Sequence, residues 1–100
     1  MNPRLFLDVD PRLLHLPTTR LHGADPVKLQ QQIAKYGVNI QGMPLVEVSR
    51  GTDDGLMIND GVTRATRVAK FLPSVIIRVE VIDVLSLPVG HLPTVGDRLP

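Results

Sequence analysis

Apolar and polar positions run along this chain in two rhythms, and the change from one to the other falls at Gly61. Before it, Gly55-Leu56-Met57-Ile58 is a short apolar run of strand character. After it, Val62, Ala65, Val68, Ala69 and Leu72 recur at spacings of three and four, which is one face of a helix. A strand therefore runs into a tight turn at Asp60-Gly61, and a helix of about three turns starts there. An earlier helix carries its own punctuation. Asp25 is placed to cap it, Pro26 to occupy its first position, and Gly37 to stop it after Leu29, Ile33 and Tyr36.

The remaining pattern is strand and loop. Residues 5–10 read as a strand that Pro11 limits, and residues 17–23 as a polar loop. Residues 39–44 are a linker, and residues 45–49 alternate as a strand. A turn cluster, residues 50–55, then returns the chain through Leu56-Met57-Ile58 as the second arm of a hairpin. Residues 75–82 form the strongest strand: positions 75, 77, 79 and 81 are all apolar, while Arg78 and Glu80 lie on the other face. From Asp83 the Pro- and Gly-rich tail is expected to run irregularly over the surface. A strand, helix and strand in succession favour a right-handed crossover with parallel pairing. Together with the hairpin this predicts an α/β fold of mixed α+β type: a small mixed β-sheet with two main helices packed on it. Val75, Ile77, Val79 and Val81 should then be buried against Leu29, Ile33, Val68 and Leu72.

Length and composition narrow the picture. One hundred residues make one domain, 1–100, with residues 83–100 as its tail. The chain is 43% apolar but only 3% aromatic, without Trp, so the core is aliphatic. A net charge of +1, from 11 basic and 10 acidic residues, makes no general electrostatic case for nucleic acid or a membrane surface. The absence of cysteine excludes disulfides, thiolate chemistry and zinc ribbons. No apolar run has the length of a membrane span, and the first residues lack a leader's apolar stretch, so a cytoplasmic location is expected.

The candidate chemistry gathers at the start of the second helix. The first amides of a helix have no partners within it, and its dipole puts partial positive charge at the same end, which suits a phosphate or carboxylate. Gly61 lets another group approach the backbone, Val62 and Thr63 supply amides, and Thr63 adds a hydroxyl. Arg64 is one turn in, where its guanidinium can fold back on the same anion. Arg67 lies on a neighbouring face, placed either to join that anion or to be exposed. Asp60 and His22 are the candidate bases, with Asp60 equally readable as a turn corner. Lys28, Lys35 and Gln30-Gln31-Gln32 read as the wet face of the first helix. Asp53-Asp54 reads as a solvated hairpin tip, and His15, His22 and His91 lack ligand spacing, so no metal site is expected.

The order Gly23-Ala24-Asp25-Pro26, helix, Gly37, Met43-Pro44-Leu45-Val46-Glu47-Val48, Ile58-Asn59-Asp60-Gly61-Val62-Thr63-Arg64 and Val75-Ile76-Ile77-Arg78-Val79 resembles the ParB/sulfiredoxin superfamily. The resemblance covers roughly residues 5 to 82. In such families the Gly-x-x-Arg turn contacts nucleotide phosphates, which would make Gly61, Thr63 and Arg64 phosphate-binding. Arg20 resembles an arginine that many ParB-like proteins carry before the first helix. Val62 stands where sulfiredoxin has its cysteine, so that chemistry is excluded. The stretch after the last strand is too short for the helix-turn-helix and dimerisation regions of chromosome-segregation ParB proteins. Three functions follow in order of preference. The first is a nucleotide-binding module, extending to a small phosphotransferase or NTPase, taking ATP or CTP with magnesium. Next comes a catalytically inert interaction module, and last a ParB-like nuclease or toxin-associated domain acting on nucleic acid.

Overall fold

A computed structural model describes residues 3–100, leaving positions 1 and 2 of the expected domain outside it. Four strands and two helices follow in order: β1 (Leu5–Val9), α1 (Pro26–Tyr36), β2 (Val46–Arg50), β3 (Leu56–Asp60), α2 (Val62–Phe71) and β4 (Ile77–Val84). Short 3-10 turns occupy Pro11–Leu13, Thr18–Arg20 and Gly96–Arg98. The sheet is mixed, in the order β1-β4-β2-β3. The fold is therefore the expected mixed α/β one.

Its topology differs from the expectation in one respect. The parallel pair is β2 with β4, while β3 lies at the edge and pairs antiparallel with β2 alone. The tight 51–55 turn returns β3 beside β2, so the parallel partner left for β4 is the hairpin's first arm. Each end of β4 also shifts by two residues. Ser74 takes a positive φ of 76° and the Val75 amide bonds back to the Leu72 carbonyl, so the turn after α2 absorbs Val75 and Ile76. At the far end Asp83 and Val84 continue the ladder opposite Ser49 and Arg50.

The phase of β4 is as the alternation implies. Ile77 and Val79 are buried, with Val75 and Val81 partly so, beside Val46, Val48, Ile58, Ala65 and Val68. Arg78 on the opposite face pairs with Asp8, and Glu80 takes two bonds from Arg4. Leu29 and Ile33 are not part of that cluster. The apolar face of the sheet is already covered by α2, Leu14, Leu16 and Val95, so α1 packs on α2 instead.

The tail also departs from expectation. Val89 and Val95 are fully buried, and residues 85–95 are stitched to the rest of the chain. Leu85 donates to the Arg50 carbonyl, Val95 to Leu14, and Leu16 to Pro93. His15 bridges Met57 of β3 on one side and Thr94 on the other, and so covers the sheet's exposed edge. Asp53, read as a solvated tip, clamps this segment: its carboxylate accepts from the amides of Gly90 at 2.8 Å, Val89 at 3.3 Å and Gly55 at 3.2 Å. The Gly90 and Val89 amides hold its carboxyl below the ordinary aspartate range. Gly51 is required for this approach, since a Cβ there would stand 2.8 Å from the Asp53 carboxylate and 3.0 Å from the Leu87 carbonyl. Among the described residues no helix is long and apolar enough to cross a membrane.

Candidate functional site

β3 ends at Asp60, and the chain turns into α2 through Gly61, whose φ of 114° and ψ of 24° lie in the left-handed region. No side chain caps α2. Its first internal bond is the Ala65 amide to the Gly61 carbonyl, at 2.9 Å, so the amides of Val62, Thr63 and Arg64 precede the ladder. The N-terminal end of α2 is thus an uncapped set of donors at the positive pole of the helix dipole.

Arg64 folds back over this turn. Its Nη2 donates to the Asp60 carboxylate at 3.1 Å and to the Leu45 carbonyl at 3.1 Å, tying α2 to the chain just before β2. The side chain is only 17% exposed, and its Nε is buried without a partner. The fold-back depends on the glycine: a Cβ at position 61 would lie 3.0 Å from both Arg64 Nη2 and Val46 Cγ2.

A polar cleft opens over the turn. It brings together Arg20, Asp60, Gly61, Val62, Thr63 and Arg64, and adds Lys28 and Gln32 from α1. Three cationic side chains, Arg20, Lys28 and Arg64, face it with Asp60 as the single carboxylate. The 3-10 turn after Pro17 brings Arg20 here, closed by the Arg20 amide to the Pro17 carbonyl at 2.9 Å. Asp60, taken as a candidate base, is 66% exposed and engaged by Arg64. His22 does not line the cleft; it lies in an adjoining depression with Asp25, Arg98 and Pro100, which shares Thr19 and Arg20 with the cleft. Arg67 does not join the cleft; it is buried on the far side of Arg64. Lys28 was hidden by its place in a polar run. Its spacing of four from Gln32 was the available signal, because the two share one face of α1.

The cleft can hold an oxyanion. Uncapped amides supply directed donors, and the cations supply charge that the single carboxylate leaves in excess. For magnesium it offers one carboxylate already paired with arginine, and no group of three metal-ligating side chains occurs among the described residues. A magnesium ion here would be held mainly by phosphate oxygens of the ligand. No protein-family model, curated protein or solved structure matches this chain.

Proposed function

We infer that the chain is a ParB-like nucleotide- or phosphate-binding module, with phosphate held over residues 61–64 at the start of α2. The observation that carries this reading is the convergence of Arg20, Lys28 and Arg64 on the uncapped N-terminus of a ten-residue helix. The three cations come from separate segments: the turn before α1, α1 itself and α2. The resemblance to the ParB/sulfiredoxin superfamily supports the same position, and nucleotides with magnesium are the ligands it implies. The reading is of a binding module. Asp60 is engaged by Arg64, and His22 lines the adjoining depression rather than the cleft itself.

Titration calorimetry with ATP, CTP, GTP and their diphosphates, with and without magnesium, tests the reading. Arg64→Ala should weaken the bound nucleotide by roughly one to two decades, because a charge-assisted contact is worth about 1.5–3 kcal/mol. A wild-type protein that binds none of them, or a folded variant with unchanged affinity, would overturn it. One observation favours a second reading, an inert interaction module: the Asp60–Arg64 pair and the Arg64–Leu45 bond already give Arg64 a structural task. On that reading Arg64→Ala loses stability and there is no nucleotide affinity to lose.

A further inference from the structure

β1 is an outer strand of the sheet, and β4 is its only partner strand. The other outer strand, β3, is met by His15 with the tail behind it. Among the described residues, no segment besides β4 hydrogen-bonds to the backbone of residues 4–9. Native proteins blunt such an edge with proline, lysine or a bulge. Residues 4–9 contain neither proline nor lysine, and their register with β4 runs without a shift from Leu5–Val81 to Val9–Ile77. Pro3 and Pro11 bracket the stretch from outside. Leu5 and Phe6 on it are both exposed.

This edge is complementary to itself. Leu7 and Val9 pack on the core, so Arg4, Phe6 and Asp8 share the opposite face. Two antiparallel copies of one strand are related by a two-fold axis that passes between a residue and its own counterpart. Centred on Phe6, the axis sets Arg4 opposite the partner's Asp8, Asp8 opposite the partner's Arg4, and Leu5 opposite the partner's Leu7. Centred on Leu5, it sets Arg4 opposite Phe6; centred on Leu7, it sets Asp8 opposite Phe6. Only the Phe6 register gives both charges an opposite charge and keeps apolar beside apolar. Both groups have capacity for it. Arg4 engages Glu80 through Nε and Nη2, which leaves Nη1, and Asp8 accepts from Arg78 at Oδ1, which leaves Oδ2. The Arg4 and Asp8 side chains are 65% and 59% exposed.

We propose that β1 is a dimerisation edge whose occupant is β1 of a second copy of this chain, antiparallel and centred on Phe6. The two sheets join into one, and charge alternates across the seam from Arg78 to Asp8, the partner's Arg4 and the partner's Glu80. Leu5 and Leu7 prolong the apolar face from one copy into the other. A strand edge of five residues is a small interface, below about 1,200 Å², so the dimer is reversible. The phosphate cleft belongs to the opposite edge, where β3 enters α2, so each copy keeps its cleft at an outer end of the joined sheet.

Sedimentation equilibrium from about 10 µM to about 1 mM chain tests the proposal, a span in which an interface of this size titrates. Wild type should pass from monomer towards dimer. Phe6→Lys should weaken association by about tenfold or more, because it removes an aromatic pair and sets like charges opposite each other. Its circular dichroism spectrum should match that of wild type at the dilute end. The register has its own arm in two exposed substitutions. Asp8→Lys alone opposes lysine to Arg4, and Arg4→Glu alone opposes glutamate to Asp8, so each variant should stay monomeric. Mixed in equal amounts they form complementary pairs at both positions and should dimerise. A wild type that remains monomeric throughout overturns the proposal. So does a folded Phe6→Lys that dimerises as wild type does, or a mixture that associates no more than its components.

Discussion

Gly61 does two things at once: it turns β3 into α2 and leaves the space into which Arg64 folds. An alanine there must adopt a φ near 114° and bring a methyl group within 3.0 Å of Val46 Cγ2 and Arg64 Nη2. Gly61→Ala should therefore cost about 1–3 kcal/mol of stability, the usual scale of backbone strain, and also displace the guanidinium from the cleft. Urea unfolding of the variant reads the first effect; an unchanged midpoint would show that the turn relaxes freely. Gly61 and Arg64 were legible in the sequence because the feature they make is local, a glycine turn and the first turn of a helix. Arg67 was not. Whether it points to water or into the protein depends on Tyr36 and the 39–44 linker, which no spacing within α2 reveals. Lys28 was illegible for a similar reason, since the face of α1 it shares with Gln32 gains meaning only once α2 lies beside it.

Among the elements, α1 was the most readable. Its Asp25 cap accepts from the Val27 amide at 2.8 Å, Pro26 opens it and Gly37 closes it, all three being short-range signals. The tail was the least readable. Its buried residues, Val89 and Val95, are single valines among prolines and glycines, without a period to betray them. They are buried because the hairpin turn and residues 14–16 come to meet them. Asp53 is the anchor of that meeting. Asp53→Asn should lower the melting temperature by several degrees and speed amide exchange at Val89 and Gly90, with β1 least affected. The acid response carries a definite sign. Amides hold the folded carboxyl of Asp53 below the ordinary aspartate value of about 3.9, so the unfolded chain takes up the proton first. The contribution is complete above that value and disappears as pH falls through the lower, folded one. Asp97, held down by the Thr94 amide and hydroxyl, and Glu80, held down by Arg4, act in the same direction. Thermal melts between neutral pH and pH 3 should show the loss, and the Asn variant should show a flatter dependence.

For the whole molecule, the decisive element is β4, which touches both β1 and β2. Ile77→Ala should cost about 2–5 kcal/mol, as for a large-to-small change in a packed core. Ile82→Ala, about half exposed, should cost about 1 kcal/mol or less. Equal losses in chemical denaturation would mean that both faces of the strand are covered. Which face of β4 is buried was legible from its alternation, whereas its neighbours were not, because strand order is a property of the chain's long connections. That order bears on how the protein is made. Emerging from the ribosome, β1 comes first yet hydrogen-bonds to β4 alone, and β2 can reach only β3 until β4 has been synthesised. The early product of translation is therefore a hairpin with α2 behind it and an orphaned first strand. The sheet completes itself only when residues 77–84 slide between partners that have waited for them, and the clamped tail seals the edge last.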